Sequence, residues 1–559
     1  MRAVTHVSAL LVGVFLALVA LHTPLLSLPY FWDEAGYYIP AALDIFHAGR
    51  LIPESTLPTG HTPLVMVYLA LAWRLFGFSP VVTRTAMVLI AAATVTATYA
   101  LARRVTDREP AAWAAVLLAL SPMFFAQSTM VFLDLPAALF TTLAMLALLE
   151  ERMVMFAIMA SLGVMTKETA VVLLPVAWVY CWRRVRAGQA TSVLDTRPGQ
   201  APALRVCVAL AAPLVPLAAW TFYYHHVTGY WTGNAEYLQF NFYSTLSPGR
   251  FFWTLLRRSY EVFIGGFNWL LVVGAALGVW WRRRQGHKGT ETQRRSSHYF
   301  LLAAGLVAAY VLMLSVVGGA VLPRYLLPIV PFFILATVAL VWRLPKAFAR
   351  ATCGVTLSCF VAAWFFNPPY PFPYEDNLSY ADFIRLHQDA ARYLESRPAG
   401  ERILTAWPAT DELTRPFLGY VRQPRRVVPL EGFTAKDFEK VSSEDFDLLY
   451  IYSRKWEPPN NWLPRLPIFR RAQERHFGYA PQVSDEELIS RFHLKLLQQF
   501  ERRGQWVRIF EKESEVRSQN SERGTMNDER TAFRGNNLLG GRAARLTNTA
   551  VHPELIAES

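Results

Sequence analysis

An acidic pair, Asp33-Glu34, sits in the aromatic run Phe31-Trp32-Asp33-Glu34-Ala35-Gly36-Tyr37-Tyr38. Apolar neighbours disfavour the ionised form of a carboxylate, which suits general-base work. The same pair also reads as hydrated carboxylates capping a helix that starts at Ala35, and spacing alone slightly favours that reading. Asp134, in Phe132-Leu133-Asp134-Leu135-Pro136, lies between two apolar runs. An ionisable group at membrane level is costly and by default functional. It can also cap the following helix, with Pro136 in the first turn, and one carboxylate can do both.

Cations occupy comparable positions. Lys167 stands in Gly163-Val164-Met165-Thr166-Lys167-Glu168-Thr169, and Arg324 in Leu322-Pro323-Arg324-Tyr325-Leu326-Leu327-Pro328. Guanidinium donates bidentately to phosphate through its planar fork. The plainer readings are a neutralising Lys167–Glu168 pair and an Arg324 that snorkels to headgroups. Together these residues could run a transfer from a lipid phosphate. An acidic base takes the proton of an acceptor hydroxyl, and cations hold the phosphate as it leaves. A transporter lining a path with charge would use the same residue types. His225 and His226 are adjacent, with no Cys or Asp partner spaced nearby, so no metal site is expected there. No cofactor is expected.

The elements that must position these residues are apolar. Of 559 residues, 53% are hydrophobic and only 17% charged, too apolar for an ordinary soluble domain. Stretches of about 20 apolar residues span a bilayer core as helices. They are expected near 8–28, 83–102, 111–129, 133–149, 153–166, 168–182, 203–222, 262–281, 299–317, 325–342 and 348–366, which makes about eleven transmembrane helices. The run 63–78, with Arg74 and Gly77, is expected to lie at the interface. The net charge of +13 does not form a basic groove interleaved with aromatics, so nucleic acid is not an expected partner.

With the N-terminus in the cytoplasm, Arg103, Arg104, Arg108, Arg152, the Arg183-Arg184-Arg186 cluster, Arg282-Arg283-Arg284 and Arg343, Lys346 and Arg350 fall inside. That agreement predicts an odd number of passes, outer loops at 29–62, around Asp134 and at 223–261, and an extracytoplasmic C-terminal region. The first apolar run lacks a small-residue cleavage site and is expected to stay as a span. The four cysteines are read as small apolar residues rather than a disulfide framework.

At these residues the chain resembles the membrane glycosyltransferases of the C-type superfold. The branch it resembles contains the dolichyl-phosphate-mannose protein mannosyltransferases and the bacterial aminoarabinose transferases that modify lipid A. The matching pieces are Asp33-Glu34, His61-Thr62-Pro63-Leu64, Asp134, Thr166-Lys167-Glu168 and Arg324-Tyr325-Leu326-Leu327-Pro328, in order over roughly 1–345. The resemblance implies Asp33 at the catalytic centre with Glu34 beside it, and Asp134 as the second-loop aspartate. It implies Lys167 and Arg324, with the adjoining Tyr325, as ligands of a carrier phosphate. The donor it implies is a polyprenyl-phosphate sugar, in bacteria usually on undecaprenyl phosphate, bound from the outer leaflet of the inner membrane. The acceptor would be a lipid, a glycan or a protein. The aminoarabinose branch carries a Glu-Lys pair where this chain has His61-Thr62. A histidine does not reproduce a fixed ammonium, so the sugar is left open, with His61 read as a hydrogen-bonding group for sugar or phosphate or as a member of the loop.

From Asn367 the chain turns polar, and three regions are expected: a transmembrane domain over residues 1–366, an α/β domain over 367–513 and a disordered tail over 514–559. The α/β domain reads as helix 380–397, strand 402–407, helix 409–420, strand 426–430, a helix from 434, strand 446–452, and a helix and last strand in 490–513. It shows no nucleotide-binding loop, and the resemblance implies that it covers the site or helps select the acceptor.

Overall fold

The computed structural model describes residues 2–186, 202–285, 291–365, 375–454 and 466–513. The linker start at 367–374 and the tail from 514 lie outside the described residues.

The chain is mostly helical up to Phe365. Among the described residues, six helices are long and apolar enough to cross a membrane: His6–Leu25, Pro80–Val105, Val206–Thr228, Tyr299–Val316, Pro323–Val341 and Lys346–Phe365. A seventh is added if Pro248–Phe263 and Gly265–Arg284, bent by 40°, count as one span. Helix occupies all eleven expected segments, but their number as crossings does not follow from length. Asp134–Leu149 and Met153–Thr166 are short, and 111–129 is broken at Ser121-Pro122. Proline removes the donor that would continue the ladder, and it pushes the residue before it into extended backbone. The run 63–78 forms the helix Leu64–Phe76, ended by Gly77 at φ 82°.

The basic clusters gather at one end of the bundle. Arg104 pairs with Glu150, Arg184 with Glu151 at 2.9 Å, and Arg350 with Glu109 at 2.6 Å. Asp134 opens its helix and Lys167 follows its own, so both lie at the opposite end. The loop expected at 223–261 is partly helical. Pro248–Phe263 buries Arg250, Thr254, Arg258 and Val262 and exposes Phe252, Leu256 and Tyr260. That four-residue period is legible in the sequence, but three of the four inward residues are polar, so it carries no core signal.

The C-terminal region forms a five-stranded mixed sheet. Strands β1 (Arg402–Ala406), β2 (Arg426–Leu430), β3 (Leu448–Tyr452), β4 (Leu494–Arg502) and β5 (Gln505–Lys512) lie in the order β2-β1-β3-β5-β4. The first three are parallel, and β5 runs antiparallel to β3 and β4. The expectation of one strand in 490–513 is corrected to a hairpin. Leu494 to Leu497 continues the helical period of Asp485–Phe492, but His493 at φ 51° ends that helix. Arg503 and Gly504, at φ 48° and 89°, make the two-residue turn that matches strand twist. The helix expected from 434 is instead two short 3₁₀ turns, Ala435–Phe438 and Ser443–Asp445.

This sheet region is packed onto the loop that follows the first helix. Phe31 meets Phe383 edge to face at 5.5 Å, and Trp32 meets Trp407 at 5.2 Å. The Tyr420 hydroxyl donates to the Tyr30 carbonyl at 3.1 Å. A Cβ on Gly36 would come within 2.9 Å of the Trp407 ring, so only glycine permits this approach.

Candidate active site

The backbone around Asp33 is set by a buried ion pair. Arg84, in the first turns of Pro80–Val105, donates to the carbonyls of Leu28 and Thr129 at 3.0 Å each and to that of Pro29. It also pairs with Glu34 at 3.2 Å, both side chains being wholly buried. Glu34 in turn accepts from the backbone N–H of Phe31 at 2.8 Å and of Val131 at 2.6 Å. The Glu34 carboxylate thus ties the first loop to the segment that leads into Asp134. Trp32 adopts φ 49°, a left-handed conformation costing about 1–3 kcal/mol in a bulky residue, and its ring is held by Phe383 and Trp407.

Asp33 points the other way, at Arg324, and accepts from its Nη2. Arg324 begins the helical segment Pro323–Val341 and is 1% exposed. Its Nη1 donates to Glu375 at 2.6 Å, and its Nε lies 3.8 Å from Asp134 Oδ2. The guanidinium stacks 3.7 Å from the centroid of Phe132. Lys167 donates to Asp134 Oδ1 at 2.6 Å. The extended backbone of Lys167, at φ −153°, breaks the chain between two helices at this point.

Three cations surround the ring of Tyr325: Lys167 at 4.3 Å, Arg324 at 5.5 Å and Arg258 at 5.7 Å. Arg258 is held by the Leu322 carbonyl at 2.6 Å and by Glu261 at 2.9 Å. Aromatic faces attract cations without neutralising them, and the charge of these three is balanced by the carboxylates paired with each.

The structure therefore brings together Asp33, Asp134, Lys167, Arg324 and Tyr325 from four separate stretches of chain. Glu168 does not neutralise Lys167 by direct pairing. It accepts from His61, whose Nδ1 lies 2.9 Å away. His61 is beside Tyr38, ring to ring 6.5 Å, in a recess also lined by Tyr37, Trp220 and Tyr224. His225 stacks on Trp231 at 3.9 Å. Among the described residues, no group of three or more His, Cys, Asp or Glu could hold a metal ion.

Gly60 fixes where His61 sits. It adopts φ 77°, and a Cβ there would lie 2.4 Å from the backbone nitrogen of Gly233. Its carbonyl accepts from the Trp220 indole at 3.1 Å. Gly60→Ala is expected to cost at least about 1–3 kcal/mol from the backbone alone, read as a lower midpoint of thermal unfolding in detergent.

Three members of this arrangement escape sequence reasoning. Arg84 lies in an apolar helix and reads as a stray charge. Arg258 belongs to a stretch expected to be a loop. Glu375 follows the proline-rich stretch, where a carboxylate looks solvated. For Arg84, the signal that could have found it is its depth, in the first turns of a membrane helix, where charge demands a partner.

Residues 60–220 match the sequence family described as dolichyl-phosphate-mannose-protein mannosyltransferase. The match contains His61, Asp134 and Lys167. In structure, the chain is similar to ArnT from Cupriavidus metallidurans bound to undecaprenyl phosphate, with a TM-score of 0.50 and 14% identity over 90% of this chain and 97% of that one. The chain has the fold of the C-type membrane glycosyltransferases. The apo state of the same ArnT gives a TM-score of 0.50 at 16% identity, over 91% of this chain and 98% of that one. An Archaeoglobus fulgidus oligosaccharyltransferase gives 0.42 at 14% identity, over 79% and 67%. No curated protein matches the chain in sequence.

Proposed function

We propose that the chain is a glycosyltransferase that moves a sugar from a polyprenyl-phosphate donor to a lipid, glycan or protein acceptor. The observation that carries this reading is the convergence of Asp33 and Asp134 on Arg324 and Lys167 at one end of the bundle. Asp33 is the general base and takes the proton of the acceptor hydroxyl. The acceptor oxygen attacks the anomeric carbon, the bond from that carbon to the phosphate oxygen breaks, and the carrier phosphate leaves with the electron pair. Lys167 and Arg324 stabilise that phosphate, with Tyr325 packed between them. One direct displacement inverts the anomeric centre. Asp134 orients Lys167 through its 2.6 Å bond, and Glu34 orients the loop that carries Asp33. The aromatic recess beside His61 offers ring faces to a sugar.

The sidedness of the charge supports an active end and a C-terminal domain outside the cytoplasm of a bacterial inner membrane, and the domain division at 366/367 and at 513/514 belongs to the same reading. The relative bound to undecaprenyl phosphate supports that carrier as the first donor to test. The test is release of radiolabelled sugar from undecaprenyl-phosphate sugars by membranes containing the protein. Lys167→Met should slow turnover at saturating donor by at least about 10-fold, because the cation acts on charge that grows as the phosphate leaves. Unchanged turnover in that variant removes Lys167 from the mechanism, and absence of release from every such donor rejects the class.

A further inference from the structure

Both terminal nitrogens of Arg324 hold a carboxylate before any donor arrives. Its Nη1 is held by Glu375 at 2.6 Å and its Nη2 by Asp33, while Nε has Asp134 at 3.8 Å and no hydrogen bond. Bidentate recognition of a phosphate needs two neighbouring N–H groups of the guanidinium. A phosphate that takes the edge of the guanidinium used by Glu375 or Asp33 displaces that carboxylate. Asp33 is fixed by the buried Glu34–Arg84 network and is needed next to the acceptor. Glu375 is held from another part of the chain. Its backbone carbonyl accepts from Gln127 at 2.8 Å, and its side chain reaches inward to Arg324 with 5% exposure.

We infer that Glu375 holds the place of the donor phosphate on Arg324 and sets donor affinity by competing for it. The inference rests on the reading of Arg324 as a phosphate ligand. Around this point two cations, Arg324 and Lys167, face three carboxylates, Asp33, Asp134 and Glu375. One carboxylate is left without a cation of its own, and an incoming phosphate adds a further negative charge. Exchange is easiest if the displaced carboxylate takes up a proton. Burial pushes Glu375 up to about 8, against the pull of Arg324 and with the help of Asp33, Asp134 and Glu34. A neutral Glu375 does not compete, and an ionised one does. Donor affinity should then fall as pH rises through about 8. The second ionisation of a phosphate monoester, near about 6, is complete below that window.

The test measures binding of undecaprenyl phosphate to the purified full chain in nanodiscs, at pH 7 and pH 9. The proteins compared are wild type, Glu375→Gln, Glu375→Ala and Arg324→Ala. Both Glu375 variants should bind on the order of 10-fold tighter than wild type at pH 9, a difference of about 1.4 kcal/mol. Their affinity should also lose the wild-type decline between the two pH values. Equal or weaker binding by both variants, with Arg324→Ala impaired, overturns the place-holding role while leaving Arg324 as the ligand. Wild-type binding that Arg324→Ala does not alter overturns the phosphate reading of Arg324 and this inference with it.

Discussion

Asp33→Asn is expected to lower sugar transfer by about 10²–10⁴-fold, the range a positioned general base contributes. Asparagine keeps the shape of the side chain and a hydrogen-bond acceptor for Arg324, but it cannot take a proton from the acceptor. The surrounding loop should persist, because the Glu34–Arg84 pair and the packing of Phe31 and Trp32 on Phe383 hold it independently of Asp33. Release from radiolabelled undecaprenyl-phosphate sugars, at equal expression of the two proteins, checks this. Equal transfer by wild type and variant would remove Asp33 from the mechanism and make Asp134, 3.8 Å from Arg324, the next base to test.

The largest loss of stability is expected for Arg84→Ala. Arg84 and Glu34 are both wholly buried, and Arg84 also binds three backbone carbonyls. Removing one partner of a buried pair strands the other charge, at a cost of about 3–5 kcal/mol. The purified variant should unfold at a markedly lower temperature than wild type in the same detergent. Glu34→Gln should also destabilise, since it leaves the guanidinium facing a neutral group, but by less, because the amide oxygen still accepts one hydrogen bond. The double variant Arg84→Met, Glu34→Gln should recover some of the loss, as no unpaired charge remains. The decisive comparison is stability against turnover in Glu34→Gln. Full stability with abolished turnover would place Glu34 in the chemistry rather than in the support of the loop.

The two carboxylates of the acidic pair illustrate how far local sequence carries. Asp33-Glu34 is visible as an unusual pair among aromatics, but adjacency gives no reason to send one side chain to Arg324 and the other to Arg84. The turn Glu34–Tyr38 and the left-handed Trp32 separate them, and both are packed by rings contributed from residue 380 onward. Lys167 shows the same thing. Glu168 is its neighbour in sequence, yet its bonded partner is Asp134, 33 residues away. The extended backbone between two helices turns Lys167 toward Asp134 and leaves Glu168 to His61.

Hydropathy and the placement of arginine act locally along the chain, so they suffice to specify a helical membrane protein followed by a small α/β region. They also mark Asp33, Asp134, Lys167 and Arg324, because charge at membrane level is costly wherever it occurs. The resemblance added their order and a chemistry. Which side chain faces which was settled by packing alone. Arg324 gathers carboxylates from residues 33, 134 and 375, and no period of a helix or strand encodes contacts over such separations. Arg84, Arg258 and Glu375 were hidden for the same reason: a buried charge looks like a surface charge until its partner, distant in sequence, is brought against it by the fold.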